Sequence, residues 1–498
     1  MKTIAILGFG ASGVSFITQF IDEIKKNGTP ATFKVLIFEA DSKQIGTGLA
    51  YKNVHSSMLL NSSAYYSRIN PKAEDFHSWV LENQDLLSEF GDLSGITINS
   101  YLPRKVFGLY TSNKFQKTLQ YAKKIGLEIT TIVDQVVNVK NINSQSIVVT
   151  RSRGEFNVDT IIFSTGHNEK TYPFKPCDHD NFFSSPYQID PNLQKIKNNA
   201  RILVVGSRLS AIDAVMLLSK NKFTITLASR SGLLPMVKHL DKDIVTPKYS
   251  SLEQLRKFEK LSAKSVFDLI KLDLSYRYKD NNLVNNLISP SMSAVNNFNQ
   301  SFELAKRNNL FWQDVFTPYN NYFDNMWSDM VDNEKSIFLK EYFPIISRFT
   351  SSFPLENAIK IKELIANKYL VIRSGLKDVK QVDNSVSEFV AIFSDGREEA
   401  YDYVICALGY DYVLNNQSLY RTLKNNDMIT YNTFGGLSVN LDNMEVQDHN
   451  FSTPVYALGS PIFGTRIFTN VLSTNAIDAG KISSAILKSA LLQTKKLA

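Results

Sequence analysis

Cysteine is almost missing from this chain: its 498 residues hold only Cys177 and Cys406, far apart in sequence. Two isolated thiols exclude a disulfide framework and CxxC redox or zinc chemistry, and they fit a reducing cytoplasm. Long apolar runs are missing too, since no stretch reaches the ~18–20 uninterrupted residues that a membrane span requires. Lys2 followed by IAILGFGASG has the look of a leader, but three glycines break it and it runs straight into an amphipathic pattern, so it reads as folded chain. Charge of one sign is not concentrated anywhere. Lys and Arg outnumber Asp and Glu by 55 to 48, a net charge of +7, with no run of the kind that binds nucleic acid or a membrane. An anionic cofactor or substrate suffices to explain so mild an excess. The histidines (His55, His77, His167, His179, His239 and His449) form no metal-spaced cluster. Neither a GxSxG elbow nor a P-loop occurs.

What is present is an ordinary globular composition, 43% hydrophobic and 21% charged, over a length that suggests two or three domains. The chain opens as strand, turn, helix, strand. Thr3 to Leu7 is short, β-branched and apolar, as a buried parallel strand should be. Gly8, Gly10 and Gly13 make the turn, with Ala11 and Ser12 carrying it into a helix over Val14 to Lys26 that Asn27-Gly28 ends. Phe33 to Phe38 is a second strand, closed by Glu39. A lone GxGxxG says little, but the strand before, the helix after and the acid ending the next strand supply the context it needs. Gly8 permits the tight turn, Gly10 lets backbone approach a pyrophosphate, and Gly13 allows the helix to pack close. The phosphates then meet free N–H groups at the positive end of the helix. Glu39 suits the ribose hydroxyls of FAD, and its charge disfavours a 2′-phosphate.

A second unit of this kind begins at Arg201 to Val205, with the turn Gly206 to Ala211 (GSRLSA), a helix over Ile212 to Ser219 and a strand over Phe223 to Ala228. Gly206 and Ser207 open the turn, but Arg208 stands where the second glycine belongs. It either folds away and pairs with phosphates or blocks the site. Arg230, just past the next strand, occupies the position that selects between NAD and NADP, and an arginine there favours NADPH. Each unit leads on to a β-rich stretch ending in an apolar strand and a glycine, DTIIFSTGH (159–167) and DYVICALGY (402–410). Two similar halves imply two nucleotide sites. The fold class expected is α/β, two Rossmann-like dinucleotide-binding domains with a helical insertion. The FAD domain comprises 1–195 and 375–498, the NAD(P) domain 196–374, and the aromatic-rich insertion about 250–365. Asp280 to Asn286 reads as a surface loop, and Leu487 to Ala498 as a frayed tail.

The order of motifs resembles that of bacterial FAD–NAD(P)-binding proteins, a distant branch of the flavin-dependent monooxygenase and N-hydroxylase group. The pieces are GFGASG (8–13), FEAD (38–41), GTGLAY (46–51), LLNSSA (59–64), YLPRKVFGLY (101–110), STGH (164–167), GSRLSAIDA (206–214), SRSGLLP (229–235), CALGY (406–410) and YALGSPIFGTR (456–466). GTGLAY followed by LLN is the most specific. The resemblance implies that Gly46, Gly48, Tyr51, Asn61 and Arg104 lie near the flavin, and that Gly166 and Gly409 sit at the crossings linking two domains. Many relatives of this fold carry an aspartate after the last glycine; here Ser460 follows Gly459, and serine can still hydrogen-bond a ribityl hydroxyl.

The function expected is an FAD-dependent oxidoreductase, an NADPH-using monooxygenase oxidising a small nucleophile such as an amine through a C4a-hydroperoxyflavin. Its partners are then a small-molecule substrate and molecular oxygen, with no nucleic acid, membrane or metal. No catalytic side chain is nominated, because oxygen transfer to a soft nucleophile needs no protein acid or base. A flavin oxidase or dehydrogenase that uses no nicotinamide is the alternative that Arg208 favours. A non-catalytic FAD-binding sensor or scaffold is another, and it requires the insertion's aromatics to form an exposed patch.

Overall fold

The computed structural model describes residues 1–27, 33–52, 54–72, 74–167, 172, 174–175, 179–240, 245–289, 292–382 and 388–497, without the side chains of 318–322 and 493–497. Gly28, Cys177 and the Tyr322 side chain thus lie outside the described residues. The chain forms two units. The first comprises Met1–Asn53, Ala64–Glu169 and Tyr410–Ala498, and the second Val54–Ser63 and Lys170–Gly409.

The path begins with β1 (Lys2–Leu7), the helix Ala11–Asn27 and β2 (Phe33–Glu39), and reaches β3 (Glu128–Val133) through the helix Arg104–Lys124. Next come β4 (Val136–Ile142), β5 (Gln145–Thr150), β6 (Glu155–Val158) and β7 (Thr160–Phe163). The second unit holds β8 (Phe182–Phe183), β9 (Arg201–Val205), the helix Leu209–Leu218, β10 (Thr224–Ala228), β11 (Val237–Lys238), β12 (Phe353–Pro354) and β13 (Leu370–Arg373). It closes with β14 (Leu376–Gln381), β15 (Phe389–Phe393), β16 (Glu398–Tyr401) and β17 (Tyr403–Cys406). β18 (Val455–Ala457) and the helix Leu472–Leu497 return to the first unit.

The echo seen in the sequence is a repeated topology. In the first unit the sheet order is β18-β7-β1-β2-β3, and in the second β13-β10-β9-β17-β8. Every pairing in these two sheets is parallel. In each unit a three-stranded antiparallel sheet, β4-β5-β6 or β14-β15-β16, intervenes before a strand returns beside the first one. β7 comes back against β1 with Ile4 opposite Thr160, and β17 against β9 with Val404 opposite Leu203. Strands buried on both faces need continuous apolar side chains. Ile4, Ala5 and Ile6 of β1 and Ile202, Leu203 and Val204 of β9 are fully buried.

Three expectations need correction. Residues 375–409 belong to the second unit, not to the first. Leu376, Val379, Phe389, Ala391, Phe393 and Tyr401 share one apolar cluster with Leu203, Val205, Val404 and Cys406, so the antiparallel sheet is part of that unit's core. The Asn-rich 280–286 stretch is no loop. Asp280 accepts a hydrogen bond from the Leu283 N–H and caps the helix Asn281–Ile288, whose Val284, Leu287 and Ile288 are buried. The tail is also helical, to Leu497. Its helix covers the first one, where Gln19 Nε2 donates to the Ala476 carbonyl at 2.8 Å and Gly480 leaves room for the Gln19 amide.

Among its described residues the insertion is helical from Leu252 to Ala366 apart from short turns and β12. Phe298, Phe302, Trp312, Phe316, Phe323, Trp327, Phe338 and Phe349 are buried in it, with Phe316 stacked on Phe349 at 4.5 Å. These aromatics make a core rather than an exposed patch, although Phe258 and Phe311 remain exposed. No described helix is long and apolar enough to cross a membrane.

Arg348 fastens the insertion to the segment between β10 and β11. It is 2% exposed, and its Nε and Nη1 donate to the carbonyls of Leu234 and Leu287 at 3.0 and 2.8 Å. Its Nη2 bonds the Asn297 side-chain oxygen. Burial, with the nearby charge of Arg208, pulls its pKa down to about 9. Truncation strands several buried acceptors. Arg348→Ala is therefore expected to destabilise the second unit by about 3–5 kcal/mol, measured as a lowered urea midpoint of its transition.

Candidate functional site

In the first unit the glycine turn is built by close backbone passes. Gly8 adopts φ +83° and donates its N–H to the Phe38 carbonyl at 2.9 Å. A Cβ there would lie 2.5 Å from Thr165 Cα and 2.7 Å from the Ser164 oxygen, so the chain after β7 crosses directly over it. At Gly10 a Cβ would meet Gly48 Cα at 3.3 Å. Two glycine-rich segments, Gly8–Gly13 and Gly46–Gly48, thus lie against each other with Gly10 facing Gly48. Gly46 ties them with an N–H bond to the Phe9 carbonyl at 2.7 Å. At Gly13 a Cβ would meet the Phe9 ring at 2.7 Å. The helix begins at Ala11.

Glu39 has a structural task of its own. One carboxylate oxygen accepts the Phe9 N–H at 2.8 Å and the other the Asp41 N–H at 3.3 Å, so it braces the turn. A carboxylate has about four acceptor sites, which leaves capacity for a ribose hydroxyl. Tyr51 packs its ring edge-on to Phe107 at 4.8 Å. Its carbonyl lies 2.3 Å from where a Gly108 Cβ would be, a close approach that sequence reading missed because a glycine within a helix has no spacing signature. Arg104 is the first residue of that helix, half-buried. Asn61 lies in the Val54–Ser63 segment that groups with the second unit.

The C-terminal motif joins the first turn. A Cβ at Gly459 would sit 3.5 Å from Ser12 Oγ and 3.7 Å from Asn475 Nδ2. Beside it, Thr469 Oγ1 and Asn475 Oδ1 are buried without a hydrogen-bond partner, in residues only 1% and 6% exposed. Buried polar atoms left unpaired cost about 1–3 kcal/mol each, so these two are suited to a polar ligand. Sequence reading missed both, since lone Thr and Asn residues carry no spacing signal. Ser460 Oγ lies 2.9 Å from His167 Nδ1. The His167 ring stacks flat on Tyr410, centroids 3.9 Å apart, and burial pushes its pKa down to about 4. Gly166 and Gly409 take φ +75° and +82° with open space around them, and the two units divide at 169/170 and 409/410. Bare glycines over a helix start, a bracing acid and orphaned buried polar atoms together fit an adenine dinucleotide bearing a polyol chain.

The second turn repeats the close pass at one glycine only. Gly206, at φ +127°, would place a Cβ 2.4 Å from the Ala407 oxygen. Ser207 Oγ is 2.9 Å from Ser229 Oγ. Arg208 precedes the helix Leu209–Leu218 in an extended conformation. Its Nη2 donates to the Pro344 carbonyl at 2.7 Å, while Nη1 is buried without a partner. Burial draws its pKa down to about 10. Arg208 is therefore turned onto the helical insertion and keeps one unused donor. Arg230 is exposed, and its carbonyl accepts the Gly375 N–H at 2.9 Å.

Residues 5–168 match the model of a family described as FAD-NAD(P)-binding. No curated protein sequence matches the chain. Among solved structures, the ornithine hydroxylase of Pseudomonas aeruginosa is similar over 98% of both chains, at 14% identity and TM-score 0.59. Kutzneria sp. 744 ornithine N-hydroxylase, solved with reduced FAD, NADP+ and L-ornithine, is similar over 98% of this chain and 99% of its own, at 14% identity and TM-score 0.58. L-lysine 6-monooxygenase from Pseudomonas syringae is similar over 98% and 99%, at 15% identity and TM-score 0.56. At these identities the likeness establishes the fold: two Rossmann-type units with helical regions.

Two predictions follow from this geometry. Gly8→Ala combines a left-handed backbone with a backbone clash and is expected to cost about 2–5 kcal/mol. Gly166→Ala, with open space, should cost only about 1–2 kcal/mol. Urea unfolding of the two variants checks the contrast. The second concerns pH. The unfolded chain protonates a histidine below about 6.5, but folded His167 does so only below about 4. Stability contributed by His167 is thus full above 6.5 and is lost as pH falls towards 4. His167→Phe should flatten the pH dependence of the urea midpoint across that window.

Proposed function

We propose that this chain, matched over residues 5–168 by an FAD-NAD(P)-binding family, is an FAD-dependent oxidoreductase that uses NADPH to hydroxylate a small nucleophilic substrate, an amine. The observation that carries this reading is the doubled topology, with the chain crossing closely over the first glycine of the turn in each unit, Gly8 and Gly206. The first turn would hold FAD, through the amides at Gly10 to Gly13, the Glu39 carboxylate and the polar group around Gly459, Ser460, Thr469 and Asn475. The second would hold the nicotinamide dinucleotide over Gly206 and Ser207. Bound flavin supplies the hydride acceptance and oxygen activation. The protein's part is to orient the ring, to keep water out and to present cations to the phosphates. Arg230, exposed at the end of β10, suits a 2′-phosphate, and Arg208 keeps a donor for the pyrophosphate. The similar structures are those of enzymes named for lysine and ornithine hydroxylation, which supports an amine substrate and an oxygen-using reaction.

A second reading is a flavin oxidase or dehydrogenase that needs no nicotinamide. It is favoured by the size of Arg208 where the turn calls for glycine. Under it, Arg208→Gly leaves turnover unchanged or creates a response to NADPH that was absent.

Stopped-flow mixing of the flavin-loaded protein with NADPH is expected to bleach the flavin absorbance near 450 nm. Arg230→Ser is expected to raise the KM for NADPH about tenfold, the loss of one charged phosphate contact, with NADH unaffected. If neither nicotinamide bleaches the flavin in the presence of candidate amines, the nicotinamide step is removed.

A further inference from the structure

Three stretches remote in sequence meet at His167. Its imidazole lies flat on Tyr410, 7° from parallel, so the ring cannot swing about its own axis without losing that contact. Its Nδ1 is 2.9 Å from Ser460 Oγ. Ser460 is 5% exposed and follows Gly459, whose Cβ position lies 3.5 Å from Ser12 on the first turn of the first helix. The partnerless Thr469 Oγ1 and Asn475 Oδ1 lie in the same neighbourhood. No described charged group contributes to the His167 environment; burial alone acts on it. The ring is therefore neutral near pH 7, with one nitrogen carrying a proton and the other accepting.

A serine hydroxyl has one proton and two acceptor lone pairs, and left alone it rotates to suit any neighbour. We infer that His167 is a positioning residue: its Nδ1 accepts the hydrogen bond of the Ser460 O–H, so that Ser460 Oγ faces the first glycine turn as an acceptor for a hydroxyl of a polyol-bearing dinucleotide. The inference rests on the reading that FAD binds this turn. No bond is made or broken in it. Nδ1 is the acceptor tautomer, Nε2 carries the ring proton, and the Tyr410 face holds the ring in register. A buried acceptor fixed in this way selects a ligand with hydroxyl donors, such as the ribityl chain, because an aliphatic group there would leave the serine lone pairs unpaired.

The test is a double-mutant cycle on FAD affinity, read from flavin fluorescence as the apoprotein is titrated. His167→Phe keeps a flat ring over Tyr410 but has no nitrogen, and Ser460→Ala removes the hydroxyl. Each is expected to weaken FAD binding about 5- to 20-fold, and the double variant is expected to be no weaker than either alone. A packing role for His167 would not show this coupling. His167→Asn, whose amide oxygen can stand in the Nδ1 place, is expected to stay within about threefold of wild type, and it serves equally if the Phe variant does not fold. Wild type that binds FAD while His167→Phe binds it as tightly overturns the inference alone, as do effects that multiply in the double variant. Wild type that takes up no FAD overturns the underlying reading and the inference with it.

Discussion

The crossing of the Ser164–Thr165 backbone over Gly8 is the contact on which the rest of the first unit depends. It brings the end of β7 to within 2.5 Å of the space a side chain at Gly8 would fill, and the Ser164 N–H closes it on the Leu7 carbonyl at 2.9 Å. That pass fixes the height of the chain above the first helix. It also delivers His167 to Tyr410 and Ser460, three residues further on. The same constraint governs the second unit, where the Ala407 carbonyl stands 2.4 Å from the Cβ position of Gly206. Backbone packed on backbone leaves no place for a side chain, and what it exposes is N–H groups at a helix start, a surface suited to anions.

Polar groups divide between bracing and binding in a consistent way. Glu39 spends one oxygen on the Phe9 amide, and Arg348 spends three nitrogens on neutral acceptors in the insertion. Burial is the main reason that the pKa values of Arg208 and Arg348 are drawn down. A buried guanidinium with an unused donor beside the second turn is the electrostatic counterpart of the amides at the first. Both features favour anionic ligands, in agreement with a chain only mildly basic overall.

Much of this was legible in the sequence because the Rossmann signals are local. Gly8, Gly10, Gly13 and Glu39 announced the first turn by spacing, and Ile4 to Leu7 announced a strand buried on both faces. The boundary of the second unit was not legible. Phe389, Phe393 and Tyr401 alternate as any half-buried strand does, and only their packing against Leu203 and Val404 shows which core they serve. The Asn-rich helix 281–288 was hidden by residues that also favour turns, although its Asp280 cap and its apolar pair Val284 and Ile288 were there to be counted. Partnerships such as His167 with Ser460, or Asn475 beside Gly459, join positions too distant for any motif. Function sits in such partnerships, whereas fold sits in the periodicity.

The central claim is that bare backbone at the first turn carries the dinucleotide's phosphates, and Gly10 is the residue that tests it. Equilibrium titration of FAD into wild type and Gly10→Val, with folding checked by circular dichroism, compares an open turn with one filled by a branched side chain. The account predicts that the variant folds and loses FAD affinity at least a hundredfold, the scale of an excluded pyrophosphate contact. A folded Gly10→Val protein that binds FAD as tightly as wild type would contradict it.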